Sequence, residues 1–258
     1  GRELERPALR PLAPYLWTAW RRGGRPALHT AAPPARFAWN RLTPGELGLE
    51  LTTLLALAAV GTFAFAMLAI ELDAGELLPF DRASLDVADR LHTGVGEAAA
   101  AGIASLGSLR ATAVAVGATI LWAVSRRRAA DAAALATASL ATVLIAGISA
   151  EWVERPHPPA SLVAVEGFGF PSGHAARAVA WVACAVVLVR GGHRLATRFA
   201  AVAAAAALAI AVAVARVYLR AEYLSDALGG LAVGTAVFAL TGTLALVVTF
   251  VRQNATPT

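Results

Sequence analysis

Lysine is absent from this 258-residue chain, so its 22 basic residues are all arginine. Charge of either sign is sparse, with 15% of residues charged where a soluble domain carries roughly a quarter. That shortage excludes an ordinary water-covered globule. There is one cysteine, Cys184, and it lies inside an apolar run; an internal disulfide framework is therefore excluded, and the thiol reads as a small buried hydrophobe. No cluster of His, Cys, Asp or Glu has metal-ligand spacing, so a metal-independent site and no cofactor are expected. No fixed-period repeat is present, which leaves a transporter built from repeats without support. The first long apolar run begins near Leu47 and is long enough to span a membrane, so no cleavable signal peptide is expected.

What the chain has instead is hydrocarbon. Hydrophobic residues make up 58%, and the mean hydropathy is +0.63. Six apolar runs fall near 47–71, 97–124, 129–150, 173–190, 195–215 and 224–251. Each is close to the length a helix needs to cross about 30 Å of hydrocarbon, the fourth being shortest. The second is interrupted by Leu106-Gly107-Ser108, where a bend is expected. The fold class is therefore all-α: a polytopic membrane protein of six transmembrane helices with a basic amphipathic N-terminal arm. Three parts follow: an Arg/Trp/Pro-rich arm at 1–46, the membrane domain at 47–251, and a short tail at 252–258. The arm carries eight Arg, with Trp17, Trp20 and Trp39 interleaved. It reads either as a segment lying on an anionic membrane surface, with short helical pieces around 12–21 and 34–42, or as a disordered tail.

The net charge of +5 follows topology and is no sign of nucleic acid. Arginines crowd the arm, the 126–128 connection and the 190–198 connection, and Arg252 follows the last run. The connection at 72–96 is acidic, with Asp81, Asp86 and Asp89 among its residues. The positive-inside rule then places both termini in the cytoplasm, of a bacterial cytoplasmic membrane by expectation, and turns the loops at 72–96, 151–172 and 216–223 outward.

The last two of those loops hold polar groups that hydrocarbon does not tolerate singly, which marks a candidate site. Pro171-Ser172-Gly173-His174 opens the fourth run. Free N–H groups at a helix start favour an anion, Ser172 adds a hydroxyl, Gly173 lets a ligand approach the backbone, and His174 can move a proton near neutral pH. Arg155 and Arg216 offer planar forks suited to phosphate, although arginines at helix ends also snorkel to the interface. Asp226 lies one helical turn beyond position 222 and can orient the group there. Together these groups would hold a phosphate and protonate its leaving oxygen.

At these residues the chain resembles the type-2 phosphatidic acid phosphatase/haloperoxidase superfamily, whose pattern is KxxxxxxRP, then PSGH, then SRxxxxxHxxxD. PSGH is intact at 171–174. The third block runs from Ala215-Arg216 through Glu222 to Asp226 at unchanged spacing, and Arg155-Pro156-His157-Pro158 ends the first block. The resemblance covers about 47–251. It implies a metal-independent lipid-phosphate or polyprenyl-(di)phosphate phosphatase, with phosphate contacts from Arg155, Ser172, Gly173 and Arg216 and acid work from His174. The chain departs from the pattern at three places. Glu222 stands where the nucleophilic His is expected, Ala215 replaces Ser, and the Lys position falls on Ile148 or Ala150. Arg177 is a candidate to replace the Lys, His157 to serve as a relocated nucleophile or base, and Arg220 to pair with Glu222. Two readings stay open. One is an active hydrolase on a lipid or isoprenoid phosphate, with Glu222 essential or an engineered replacement. The other is a catalytically silent member that binds lipid phosphate or scaffolds a partner protein.

Overall fold

The computed structural model describes residues 46–73, 77–190 and 194–254. The expected arm and its two short helical pieces lie outside the described residues, apart from Glu46. The chain divides into two units, Gly1–Thr52 and Thr53–Thr258. In the described part of the first, Thr52 Oγ1 donates to the Gly48 carbonyl at 2.7 Å.

All regular structure among the described residues is helical: α1 (Glu46–Asp73), α2 (Pro79–Leu91), α3 (Gly94–Ser105), α4 (Leu109–Ser125), α5 (Ala129–Val153), α6 (Gly173–Val189), α7 (Leu195–Tyr218) and α8 (Leu224–Asn254). α1, α5, α7 and α8 are each long and apolar enough to cross a membrane, and α3 with α4 makes a fifth span if that pair, bent by 44°, is counted as one. The bend falls at Leu106-Gly107-Ser108, as the interruption in the run predicts, and Ser108 caps α4 by accepting from the Ala111 N–H. α6 is apolar but only 17 residues long. α8 continues to Asn254, past the expected end of the last run.

The central helix is α6, which packs against α4, α5, α7 and α8. Small residues allow it. Between helices already immersed in hydrocarbon, close van der Waals fit replaces hydrophobic drive. A Cβ added at Gly234 would sit 2.6 Å from the Ala176 carbonyl oxygen and 2.9 Å from Val179 Cγ2, so α8 crosses α6 backbone to backbone. Gly61 on α1 meets α8 similarly, its absent Cβ 2.7 Å from the Ala232 carbonyl. Phe170, fully buried, stacks on Phe65 with ring centroids 5.7 Å apart.

The 72–96 connection differs from expectation. Read as an acidic outward loop, it folds as α2 and the start of α3. Pro79 sits in the first turn, Asp81 lies at the dipole's positive end and Arg90 in the last turn, a complete set of helix-boundary residues. The unforeseen consequence is that Asp81 is fully buried. Its Oδ1 accepts the Ser225 N–H at 2.8 Å, and its Oδ2 accepts from Ser225 Oγ at 2.7 Å and Arg155 Nη2 at 2.8 Å. The Asp81 carboxylate thereby caps the start of α8 from outside and ties α2 to the bundle.

Four stability outcomes follow. Gly234→Ala should destabilise the protein by about 1–3 kcal/mol through overpacking. Gly117→Ala, where an added Cβ meets nothing within 4 Å, should instead stabilise by up to about 1 kcal/mol. Asp81→Asn, which leaves a buried guanidinium partly unpaired, should cost about 3 kcal/mol. Asp86→Asn on the exposed face of α2 should stay within about 0.5 kcal/mol. Unfolding of the detergent-solubilised protein reads all four.

Candidate active site

Two buried clusters lie side by side at one end of the bundle, and they share the residues that the sequence singles out. The first is built on Arg155. α5 ends at Glu154, which takes the left-handed conformation (φ 50°) and turns the chain sharply. Arg155 then points inward. Its Nη1 donates to Asp226 Oδ1 and to Ser225 Oγ, both at 2.5 Å, while Nη2 is held by Asp81. The Tyr223 ring lies against its guanidinium, 4.4 Å from the ring centroid, and burial pushes the Tyr223 phenol above its usual range. Arg155 is thus bound to protein carboxylates at both terminal nitrogens, where the sequence reading assigns it to phosphate.

Asp226 is placed differently from expectation as well. At the third position of α8 its Oδ2 reaches back to the Tyr223 N–H at 2.9 Å, one half of a capping box. Its other oxygen is on Arg155. The Asp226 carboxylate does not engage Glu222; the capping geometry directs it to the backbone and to α2's side of the cluster. Its carbonyl accepts the Ser172 N–H at 2.9 Å, so α8 also fixes the start of α6.

The second cluster surrounds Glu222. α7 ends in a tight turn in which the Ala221 N–H bonds the Arg216 carbonyl at 3.0 Å and Arg220 takes φ 54°. This turn folds residue 222 back over residue 216. Arg216 Nε donates to Glu222 Oε1 at 3.0 Å, with both side chains buried. His174 Nδ1 stands 4.0 Å from the same oxygen. Glu222 Oε2 is buried with no hydrogen-bond partner. Arg220 turns the other way, to both oxygens of Asp89 on α2 at 2.5 and 2.6 Å; the expected Arg220–Glu222 pair does not form, because the left-handed turn at 220 points that side chain outward.

The PSGH residues shape the rim. Ser172 is fully buried and caps α6, its Oγ accepting the Ala175 N–H at 3.0 Å. Arg177 lies one turn into α6 and folds back over the helix start. Its Nε donates to the Gly107 carbonyl at 3.1 Å, and a Cβ at Gly173 would lie 2.9 Å from its Nη1. Gly173 therefore makes room for the Arg177 guanidinium. His174, Arg177, Arg216 and Glu222 form one group of three bases and one acid. His157 stands behind it: Nδ1 is 2.7 Å from the Ala221 carbonyl, which can only accept, so Nδ1 carries a proton, and Nε2 is buried with no hydrogen-bond partner. Asp81 and Ser225 are the polar residues that the sequence reading missed. The signal for Asp81 was the helix-boundary pattern of α2, and for Ser225 its place beside Asp226 in the first turn of α8.

This arrangement can offer guanidinium groups and a proton carrier to an anion near the α6 N-terminus, but a carboxylate already occupies the face of Arg216. Comparisons with known proteins bear on the fold that carries this arrangement. Residues 132–247 match the model of the PAP2 superfamily. The crystal structure of a transmembrane PAP2-type phosphatidylglycerolphosphate phosphatase from Bacillus subtilis shares the fold, with a TM-score of 0.61 at 23% identity, covering 72% of this chain and 95% of that one. No curated protein matches the chain in sequence. With its apolar spanning helices, an intact Pro171-Ser172-Gly173-His174 and an Arg216-to-Asp226 block folded against it, the chain is an integral membrane protein whose residues 132–247 are similar to the PAP2 superfamily.

Proposed function

We propose that this protein is a membrane lipid-phosphate phosphatase-like protein that binds the phosphate head group of a lipid or isoprenoid at the outer face of the membrane. The observation that carries this reading is the convergence of Arg216, Arg177 and His174 at the N-terminus of α6, in a bundle whose apolar flanks let a lipid tail enter sideways. The phosphatidylglycerolphosphate phosphatase that shares the fold supports a lipid substrate class. Arg177 takes the place of the missing lysine, and Ser172 and Gly173 shape the anion site at the helix start. Arg155 and Asp226 position these groups.

The six-span count joins this proposal. α3 and α4 act as one bent span, and α6, about 25 Å long at 1.5 Å per residue, is a short one. An even number of spans returns both termini to the same side, and the arginine distribution makes that side the cytoplasm. The 1–46 arm then lies at the cytoplasmic surface and 252–258 is a short tail there.

A second reading rests on a specific observation, the Arg216–Glu222 pair. A carboxylate at the nucleophile's position repels an incoming phosphate and holds the arginine that would bind it. In this reading the pocket recognises lipid phosphate without cleaving it. Were hydrolysis to occur, His174 would protonate the leaving oxygen while Glu222 or His157 attacked phosphorus.

Phosphate release by the purified chain from phosphatidic acid, a polyprenyl diphosphate and an aryl phosphate, with Mg²⁺ or chelator, separates the two. The expected result is negligible turnover by the wild-type protein and a gain of at least roughly tenfold in Glu222→His, unaffected by chelator. Lipid-phosphate binding should fall about tenfold or more in Arg216→Gln. Robust wild-type turnover lost in Glu222→Ala would establish a rewired hydrolase. Absence of both turnover and lipid-phosphate binding would overturn the proposal.

A further inference from the structure

A cavity of about 580 Å³ opens at the opposite end of the bundle. Its cause is the length of α6. That helix has 17 residues, about 25 Å, against 31 residues for its neighbour α8. Where α6 stops, at Val189, α4 has ended and α5 begins, while α8 continues and leaves a space beside it. The apolar wall comes from Leu188, Ala245 and Leu246. The polar rim is Arg126, Arg128 and Arg190 with Asp131, and Trp122 lines the cavity too.

The rim is built, not incidental. Arg128 donates from Nε to Asp131 Oδ2 at 2.8 Å and from Nη1 to the Val187 and Arg190 carbonyls at 2.9 and 3.2 Å, which satisfies the orphan carbonyls at the end of α6. Arg190 Nη1 reaches Asp131 Oδ1 at 3.0 Å. Arg126 and Arg128 both lie over the Trp122 ring, 5.8 and 5.4 Å from its centroid. Arg128 and Arg190 share the Asp131 carboxylate and Arg126 stands beside them on Trp122, so the rim is basic. Asp131 and the α6 carbonyls hold Arg128 in place, while Arg126 is exposed on the rim. An excess of charge facing an apolar slot of this size, in a helical membrane bundle, fits one class of ligand: a phosphate head group that carries an acyl chain.

We propose that this cavity binds an anionic phospholipid, its head group held by Arg126 and Arg190 beside the Trp122 ring and its chain lying along Leu188 and Leu246. Basic pockets between spanning helices hold anionic head groups in this way. The outward orientation of the catalytic-type cluster would put the cavity in the cytoplasmic leaflet, where such lipids are available; the binding itself does not depend on that orientation. A bound lipid would fill the gap left by the short helix and bridge α4, α5, α6 and α8.

The test is native mass spectrometry of the delipidated full-length protein titrated with phosphatidylglycerol or phosphatidylcholine of the same chains. The exposed charge of Arg126 alone predicts a preference for phosphatidylglycerol of roughly fivefold. Arg126→Gln, an exposed change, should lower retention of phosphatidylglycerol about fivefold. Leu246→Trp, which fills the slot and leaves every charge in place, should abolish the preference. Equal retention of the two lipids, or retention that neither substitution alters, would overturn the proposal. Displacement of the lipid by millimolar inorganic phosphate would also overturn it, in favour of a soluble anion.

Discussion

One buried guanidinium holds the site end of this molecule together. Arg155 sits between Asp81 and Asp226, with Ser225 between the two acids and Tyr223 across its face. Two carboxylates against one guanidinium would leave a buried negative charge, which is costly in a low dielectric. The start of α8 offsets it. The Ser225 N–H bonds one aspartate and the Tyr223 N–H the other, so two backbone donors that a helix leaves unused, together with the positive end of its dipole, meet the surplus charge. α2, the connection after α5 and the entry to α8 are therefore fixed by one mutually satisfied network. Through the Ser172 N–H on the Asp226 carbonyl, the start of α6 is fixed by it as well.

That network explains which parts of the molecule were legible in the sequence. The hydrophobic runs mark α1, α5, α7 and α8 because a spanning helix needs uninterrupted apolar length, and the shorter apolar α6 with them; Leu106-Gly107-Ser108 marks the bend because a small residue and a capping serine meet there. α2 was hidden for the opposite reason. It is short and polar, and its acidic residues read as a solvated loop until Asp81 is seen to be buried against an arginine 74 positions away. Side-chain partners across such distances leave no trace in local spacing. The same limit applies to Arg155 and Asp226, whose observed partners, each other and Asp81 and the Tyr223 N–H, local spacing did not indicate. Arg220 shows it locally: proximity in sequence suggested Glu222, but a left-handed turn sent the side chain to Asp89.

A motif residue can be present for reasons of architecture alone. Ser172 caps α6, Asp226 caps α8 and neutralises Arg155, and Gly173 accommodates Arg177. Each of these duties would be needed whether or not a phosphoryl group were ever transferred. Ser172 and Gly173 and the Arg155 and Asp226 positions therefore testify to the fold more than to the chemistry. The residues without such duties are the ones that speak to function: His174, the outer nitrogens of Arg177 and Arg216, and Glu222.

Among these, Glu222 decides the character of the pocket. A histidine at this place would be neutral or positive and would leave Arg216 to an incoming anion. A carboxylate 3.0 Å from Arg216 Nε supplies that anion internally. Coulomb attraction between unit charges at such distances is several kcal/mol at the effective dielectric of a protein, so a phosphate must either displace the carboxylate or bind beside it through the remaining guanidinium nitrogens. Displacement is hindered by burial, since Glu222 would carry its charge to a place with no other donor, and its Oε2 already lacks one. Binding alongside is open to Arg177 and His174, on the α6 side of the pocket. A phosphate bound in this pocket would therefore lie toward α6, away from residue 222, and in-line attack by that residue would require the ion pair to break first.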